Sequence, residues 1–308
     1  MRAEIIKAAD ESRPVTVRQA LHEAEAMLAK AGVESARLDA ELLLAATVGL
    51  DRGELYLRDA TPLAARAEDL FRSLVSRRVC GEPVAYITGR REFWSLDFLV
   101  TPAVLVPRPE TEMLVEAAVR LLTDNLRVIG RRSRVLDLGT GSGAIAVALA
   151  KEIRWAEIWA VDISSQALEV ARANARRHDV EEKIRFLRGD LFEPVGDRME
   201  FFDLIVSNPP YVRRGEFDDL QRDVRDFEPR AALDGGTDGL DFYRRIIPGA
   251  MSYLRIGGWL AVEIGADMGE DVARLFTDAD GYAPPQFYRD LAGKDRVVCA
   301  RMKGIASG

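Results

Sequence analysis

Apolar residues recur at steps of three and four along the first quarter of the chain, from residue 16 to about residue 78. This spacing is typical of amphipathic helices, because it places the apolar side chains on one face. Two series show it: Leu21, Ala24, Met27 and Leu28, then Leu38, Leu42, Leu43 and Ala46. Breaks at Gly32, at Gly53 and at Thr61-Pro62 separate three or four helices. The pattern predicts a small all-helical N-terminal domain over residues 1–79.

The spacing changes to alternation near Cys80. Between Pro83 and Thr101, apolar and polar positions follow each other with a period of two, which indicates β-strands. Gly89 and Ser95 mark turns within this stretch. We therefore predict a β-hairpin, with residues 80–106 forming a linker between the helical domain and the rest of the chain.

Beyond Pro109, short apolar runs alternate with helical patterns. The predicted strands cover residues 134–138, 157–162, 183–189, 202–207, 258–264, 286–290 and 296–303. The predicted helices cover residues 143–152, 164–178, 240–254 and 268–277. Such alternation is typical of an α/β fold whose sheet is mostly parallel and carries helices on both faces. We predict a seven-stranded domain of this kind over residues 107–308.

Composition limits the function. The formal net charge is −7, whereas proteins that grip a nucleic-acid backbone are usually basic, so we expect no stable nucleic-acid partner. The two histidines, His22 and His178, offer little to a mechanism with histidine bases or to a multi-histidine metal site. We predict that no metal takes part.

The chain also shows no targeting signal. No run approaches the roughly eighteen apolar residues that a membrane helix requires, and residues 1–13 mix acids with bases. Cys80 and Cys299 form no CxxC pair, which favours a reducing compartment. We expect a cytoplasmic monomer without a membrane partner.

A glycine-rich turn joins the first predicted strand of the α/β domain to its first helix: Gly139, Thr140, Gly141, Ser142 and Gly143. Glycines allow a sharp turn and a close approach of the backbone to a ligand, and the helix beyond presents N–H groups. The next strand ends in Asp162, about 20 residues further on, where an acid can accept hydrogen bonds from ribose hydroxyls. Sites for dinucleotides and for S-adenosylmethionine share this layout.

A second motif, Asn208-Pro209-Pro210-Tyr211, follows the fourth predicted strand. In open α/β sheets, ligands bind beyond the carboxyl ends of the strands, so this motif is predicted to lie beside the glycine turn. The Asn208 side-chain oxygen and the Pro209 carbonyl are two acceptors for the N–H groups of a planar amide or amino group. The prolines stiffen the loop, and Tyr211 supplies a flat aromatic face. We predict that these four residues bind the substrate and promote catalysis.

The spacing G-x-G-x-G preceded by Asp137 resembles the first motif of class I S-adenosylmethionine-dependent methyltransferases. That resemblance implies a Rossmann-like fold. It implies that residues 139–143 hold the methionine end of the cofactor and that Asp162 holds the ribose. It also implies that Asp190 and Leu191 flank the adenine and that Asn208 contacts the cofactor.

The whole chain resembles the HemK/PrmC-type protein-(glutamine-N5) methyltransferases. Beyond residues 208–211, the resemblance lies in these motifs: Pro83-Val84-Ala85-Tyr86-Ile87-Thr88-Gly89, Phe93-Trp94, Val106-Pro107-Arg108-Pro109-Glu110-Thr111-Glu112, Glu228-Pro229, Ala232-Leu233-Asp234-Gly235-Gly236, Asp238-Gly239-Leu240, Glu263-Ile264-Gly265 and Asp290-Leu291-Ala292-Gly293-Lys294-Asp295-Arg296. It implies methylation of the glutamine in the Gly-Gly-Gln motif of peptide chain release factors, with S-adenosylhomocysteine as product. It also implies that Arg108 and Glu110 contact the substrate and that the helical domain recognises the release factor.

Three alternatives stay open from the sequence. The same tetrapeptide occurs in ribosomal-protein glutamine methyltransferases and in DNA adenine N6-methyltransferases, which flip a base into the corresponding pocket. A non-catalytic binding module with this fold is the third. For residues 213–234, a mobile lid, a partner contact and an ordinary solvated loop are all compatible with the sequence.

Overall fold

The computed structural model describes residues 15–124, 132–196, 202–290 and 292–303. The chain forms two compact units, Met1–Thr88 and Gly89–Gly308. The segment 80–106, predicted as a linker, is therefore divided between the two units. Within the described ranges, no helix is long and apolar enough to cross a membrane.

The first unit is all-helical. Its helices are α1 (Val17–Lys30), α2 (Ala36–Val48), α3 (Arg52–Leu57), α4 (Ala65–Val79) and α5 (Val84–Thr88). Thr16 and Asp51 begin α1 and α3 with capping boxes, in which side chain and backbone exchange hydrogen bonds. Leu28, Leu43 and Leu44 are fully buried in the shared core. This confirms the small helical N-terminal region.

One buried carboxylate in this unit accepts hydrogen bonds from three side chains. Glu41 is 1% exposed and accepts from Arg37 Nε at 2.6 Å and from Arg52 Nη2 at 2.7 Å. The Tyr56 hydroxyl donates to its Oε1 at 2.5 Å. Because both arginines are almost half exposed, the pairs lie at the edge of the core and keep access to water.

The hairpin prediction is wrong for residues 84–88. These residues form α5, in which the N–H groups of Tyr86 and Ile87 donate to the Pro83 carbonyl. Ile87 packs into the core of the first unit, so tertiary packing decides the conformation of this short apolar run. The true hairpin is shorter and consists of β1 (Arg90–Phe93) and β2 (Leu96–Leu99), paired antiparallel.

The second unit contains a seven-stranded sheet. Its strands are β3 (Ser133–Leu138), β4 (Ala156–Asp162), β5 (Ile184–Arg188), β6 (Phe202–Ser207), β7 (Leu254–Glu263), β8 (Gln286–Arg289) and β9 (Asp295–Arg301). Their order in the sheet is β5-β4-β3-β6-β7-β9-β8. The first five strands in this order are parallel to one another, and β9 is antiparallel to both its neighbours, β7 and β8. The prediction of a seven-stranded, mostly parallel sheet is confirmed.

Helices cover both faces of this sheet. They are α6 (Glu112–Asp124), α7 (Ala144–Glu152), α8 (Ser165–Arg177), the short α9 (Arg222–Phe227), α10 (Tyr243–Ala250) and α11 (Gly269–Asp278). Val135 and Leu136 point to opposite faces and belong to different cores. One core includes α6 and α7, and the other includes α10 and α11. Helix α6 was not predicted from the sequence, and the helix predicted at 240–254 is too long, because Leu254 already begins β7.

Candidate active site

The predicted functional residues meet at one edge of the sheet. The glycine turn follows β3, Asp162 ends β4, Asn208 follows β6, and Glu263 ends β7. These four strands are parallel neighbours in the order β4-β3-β6-β7, so their carboxyl ends lie side by side. Ligands of open α/β sheets bind at this edge.

The glycine turn requires glycine at three positions. Gly139, Gly141 and Gly143 have φ values of 74°, 56° and 79°, in the left-handed region that other residues avoid. A Cβ on Gly143 would lie 3.0 Å from the Cβ of Ala171, so α8 packs directly against the turn. By contrast, a Cβ on Gly139 would meet no atom within 4 Å. The turn therefore presents open space on one side.

Asp162 is part of the same turn. Its Oδ2 accepts from the Gly141 N–H at 2.8 Å, and its Oδ1 accepts from the Ser164 N–H at 2.9 Å. Burial raises the pKa of this carboxyl above its usual value, and the backbone hydrogen bonds act in the opposite direction. Carboxylate oxygens have two acceptor directions each, so Asp162 can hold the turn and still accept from a ligand.

Asp137 lies beneath the turn, near the end of β3. It is fully buried, and its Oδ2 accepts from the Thr140 hydroxyl at 2.6 Å. Burial raises the pKa of this carboxyl to about 7. Within the described part of the chain, its Oδ1 has no hydrogen-bond partner of normal geometry. Thr140, predicted to bind cofactor, thus directs its hydroxyl to Asp137.

Asn174 is a site residue that the sequence analysis missed. This fully buried side chain on α8 donates from Nδ2 to the Ser142 carbonyl at 2.9 Å and to the Leu99 carbonyl at 3.0 Å. Its Oδ1 accepts from the Leu99 N–H at 2.7 Å. The amide connects the hairpin to the glycine turn. A polar residue among the buried apolar positions of α8 was the sequence feature that could have revealed Asn174.

The residues predicted to flank adenine lie after β5. Asp190 pairs through Oδ2 with Arg245 Nη2 at 2.6 Å. Leu191 has a φ of 50° and packs half-buried against the core. Next to them, the Gly189 N–H donates to the Asp162 carbonyl at 3.1 Å, which joins this segment to the end of β4. Ile163, which the sequence analysis did not single out, is 63% exposed there and offers an apolar surface.

Asn208 has a defined orientation. Its Nδ2 donates to the Thr111 hydroxyl at 3.1 Å, so its Oδ1 is directed away from Thr111. The preceding Ser207 donates its buried hydroxyl to the Leu138 carbonyl at 2.8 Å, which joins the end of β6 to the end of β3. Pro209 is buried and Pro210 half-buried.

The backbone of Tyr211 packs closely against two glycines. A Cβ on Gly235 would lie 2.6 Å from the Tyr211 Cα, and a Cβ on Gly239 would lie 2.6 Å from the Tyr211 carbonyl oxygen. Val212 N–H donates to Leu233 O, and Gly235 N–H donates to Val212 O, both at 2.9 Å. Burial, with a smaller contribution from the Glu263 charge, raises the pKa of the Tyr211 hydroxyl to about 12.

Arg108 and Glu110, predicted to contact the substrate, both have partners in the chain. Arg108 Nη2 donates to the buried Glu228 Oε1 at 2.6 Å, which gives Glu228 a structural role. Arg296 Nη2 lies 3.8 Å from Glu110 Oε1, and its Nε donates to Asp290 Oδ2 at 2.7 Å. Beside the larger effect of burial, the charges of Arg108 and Arg296 lower the pKa of the Tyr211 hydroxyl and the charge of Glu110 raises it.

The segment 213–234 is tied to the site by ion pairs. Arg213 Nη1 lies 2.8 Å from Asp267 Oδ2, after β7, and 2.8 Å from Glu216 Oε1. Arg214 Nε lies 3.1 Å from Asp234 Oδ1. These contacts are compatible with each of the alternatives that the sequence left open for this segment.

A parallel sheet with a glycine turn and an acid at adjacent strand ends, followed by Asn-Pro-Pro-Tyr, defines a class I methyltransferase domain. The model of the methyltransferase small domain matches residues 112–224. The fold resembles the catalytic domain of hMettl16 in complex with MAT2A 3′UTR hairpin 6, at a TM-score of 0.54 and 14% identity, over 76% of this chain and 83% of that one. It also resembles the delta-N METTL16 MTase domain, at a TM-score of 0.50 and 17% identity, over 69% of this chain and 90% of that domain. At these identities the likeness concerns the fold alone.

The particular family follows from closer relatives. Release factor glutamine methyltransferase of Geobacter sulfurreducens is 47% identical over 93% of this chain and 97% of its own length. The release factor glutamine methyltransferase of Moorella thermoacetica is 45% identical over 93% of this chain and 98% of its own length. The model of the PrmC N-terminal domain matches residues 19–89. The chain belongs to the release factor glutamine methyltransferase family, which confirms the resemblance seen in the sequence.

Proposed function

We propose that this protein transfers a methyl group from S-adenosylmethionine to the side-chain amide N5 of the glutamine in the Gly-Gly-Gln motif of peptide chain release factors. S-adenosylhomocysteine is the product. The observation that carries the proposal is Asn208, placed at the carboxyl end of β6 with its Nδ2 bound to Thr111 and its Oδ1 directed away. The names and extent of the relatives support it.

The residues at the strand ends fit S-adenosylmethionine. Residues 139–143 offer a turn with open space, and the helix that begins at Ala144 offers backbone N–H groups for the methionine carboxylate. Asp162 retains acceptor capacity for ribose hydroxyls. Ile163 and Leu191 supply apolar surface for the adenine, and Asp190 lies beside them. When bound, the cofactor supplies an electrophilic methyl group on a sulfonium sulfur.

The chain's own residues then orient the amide. An amide nitrogen is a poor nucleophile because its lone pair is delocalised, as the rotation barrier of about 18–20 kcal/mol of a peptide bond shows. In the proposed complex, Asn208 Oδ1 and the Pro209 carbonyl accept the two N–H bonds. These acceptors hold the amide plane and increase electron density on the nitrogen, and they are in place before the reaction.

The Tyr211 ring supplies a flat face for the amide and a π surface for the sulfonium. Alignment of nitrogen and methyl carbon at roughly 3–3.5 Å lowers the barrier by several kcal/mol. No histidine base is required, because the N-methylated amide nitrogen that still carries both hydrogens is strongly acidic and loses one proton to water. His178 lies beyond the carboxyl end of α8, whereas the site lies at the amino end of that helix.

The first unit is proposed to recognise the release factor. It presents large apolar side chains to solvent on several helices: Met27, Leu38, Tyr56, Leu57 and Leu70. Both cysteines are free thiols, in keeping with action in the cytoplasm. We further propose that the enzyme acts as a monomer and forms no stable complex with nucleic acid.

The test is an unbiased search for the methylated residue. The protein is incubated with methyl-labelled S-adenosylmethionine and extract from a strain that lacks the enzyme, and labelled peptides are sequenced by mass spectrometry. The proposal requires label on the glutamine of a release-factor Gly-Gly-Gln motif. Label on a ribosomal-protein glutamine or on adenine would refute it in favour of the corresponding alternative.

A further inference from the structure

Glu263 is a buried ionisable residue that the proposed transfer does not use. It ends β7, is 2% exposed, and has an Oε2 without a hydrogen-bond partner of normal geometry within the described ranges. Ser207 and Val262 are in register on the parallel strands β6 and β7, so Asn208 and Glu263 leave the sheet side by side. An incompletely paired buried carboxyl is costly, and its presence at this edge calls for a functional reason.

Thr111 connects the two residues. It is 4% exposed and ends the turn Pro109–Thr111 that precedes α6. Its hydroxyl accepts from Asn208 Nδ2 at 3.1 Å. The same side chain is the hydrogen-bonding group that lowers the pKa of the Glu263 carboxyl, against the larger effect of burial. The order of contacts is therefore Asn208, Thr111, Glu263.

The chemistry of the three side chains decides which group donates and which accepts in each contact. Burial raises the pKa of the Glu263 carboxyl to about 7, and its ionised form only accepts hydrogen bonds, so in that form the Thr111 proton points to Glu263. The lone pairs of the hydroxyl then face Asn208, which must offer its NH₂ end. The Asn208 amide cannot rotate by half a turn without placing its Oδ1 against the hydroxyl's lone pairs.

We propose that Thr111 and Glu263 are positioning residues that hold the Asn208 amide with Oδ1 directed at the side-chain amide of the methyl-accepting glutamine. The inference rests on the proposed function. In the opposite orientation, the Asn208 NH₂ would face the NH₂ of the substrate, so that two donors oppose each other and one of the two acceptors is lost. Neither Thr111 nor Glu263 needs to touch the substrate for this effect.

The first experiment compares two variants of Thr111. Thr111→Val removes the hydroxyl at constant shape, and Thr111→Ser keeps it. Single-turnover methylation of a purified release factor should be slower in Thr111→Val, on the order of tenfold to a hundredfold, because the amide is no longer held in register. Thr111→Ser should restore most of the rate. In both variants, cofactor affinity by calorimetry should match the parent. Thermal unfolding should show that both are folded, with Thr111→Val less stable because it leaves buried polar groups without a partner.

Thr277→Val is the matched control. Thr277 donates its exposed hydroxyl to the Ala273 carbonyl at 3.0 Å within α11, so its loss removes a hydroxyl of the same type without touching Asn208. Its single-turnover rate should equal that of the parent. A loss in Thr111→Val alone then belongs to the position and not to the substitution.

The second experiment asks whether Glu263 acts through Thr111. In Glu263→Gln the amide can donate or accept, so it no longer sets the direction of the hydroxyl, and the single-turnover rate should fall. In the Thr111→Val/Glu263→Gln double variant the contact is already broken, so the rate should stay within about twofold of Thr111→Val alone. If Thr111→Val does not fold, the slower rate and unchanged cofactor affinity of Glu263→Gln decide the matter.

Two results would overturn the inference. One is a Thr111→Val rate within about threefold of the parent, and the other is a double variant whose loss is the product of the two single losses. The parent enzyme separates this failure from that of the proposed function. A parent that methylates no glutamine refutes the proposed function and the positioning role together, whereas an active parent with an equally active Thr111→Val refutes the positioning role alone.

Discussion

Gly235→Ala tests whether the backbone behind Tyr211 sets the rate of transfer. Gly235 has an ordinary φ, so alanine is compatible with its local conformation, and the main obstacle is the space that Tyr211 occupies, with the Gly239 Cα further away at 3.0 Å. The added Cβ would lie 2.6 Å from the Tyr211 Cα and 2.7 Å from its carbonyl carbon. Both are backbone atoms, which cannot rotate away as a flexible side chain would.

The distances give the magnitude. Ordinary contact begins at 3.4 Å, so the two backbones must separate by about 0.8 Å, and a misplacement of about 1 Å can lower a rate on the order of a hundredfold. We expect kcat to fall on the order of tenfold to a hundredfold. Overpacking of this kind costs about 1–3 kcal/mol of stability, which leaves a folded protein.

The assay is steady-state methylation of a release factor, with cofactor affinity measured by calorimetry. Cofactor affinity should stay near the parental value, because the glycine turn after β3 is untouched. Gly215→Ala is the matched control, since its Cβ would meet no atom within 4 Å and its φ lies outside the left-handed region. A folded Gly235→Ala enzyme with kcat within about threefold of Gly215→Ala would show that the backbone behind Tyr211 does not set the rate of transfer.

Five further variants, at four residues, test the cofactor contact, the substrate site and the stability of the helical unit. Asp162→Ala should weaken cofactor binding on the order of ten- to a hundredfold, from the loss of about 1.5–3 kcal/mol, and unchanged affinity by calorimetry would exclude the ribose contact. Asn208→Ala should leave cofactor affinity within a few-fold but strongly lower the single-turnover rate, and Tyr211→Ala should be far more harmful than Tyr211→Phe. Glu41→Ala should lower the free energy of unfolding by about 1–3 kcal/mol, because hydrogen bonds from three side chains to the carboxylate are lost. The loss stays in this range because the arginines left behind remain hydrated. An unchanged urea midpoint would contradict this.

The parallel strands and their terminal residues could be predicted because the information is local. A strand buried on both faces is mostly apolar, and β6 was predicted with its observed bounds, Phe202–Ser207. The glycine turn and Asp162 follow from spacing along the chain. Their meeting with Asn208 at one edge follows from the parallel direction of the strands. The roles assigned to these residues stay predictions.

The errors at residues 84–88, Thr111 and Asn174 have a common cause, which is contact between distant parts of the chain. Residues 84–88 are a five-residue apolar run whose pattern does not distinguish strand from helix, and packing in the helical unit decides it. Thr111 and Asn174 lie 97 and 75 residues from their partners Asn208 and Leu99. Spacing along one chain does not reveal such pairs, so the residues that support the site became visible only in the structure.

The central claim is that a glutamine side chain in a folded release factor is the methyl acceptor. The most direct test compares kcat/KM of the full-length enzyme on an intact release factor, on the same factor with the Gly-Gly-Gln glutamine replaced by alanine, on a ribosomal protein and on adenine-containing DNA. The account predicts methylation of the intact factor at that glutamine and none of the alanine form. Equal methylation of the alanine form, or methylated adenine with unmodified glutamine, would contradict it.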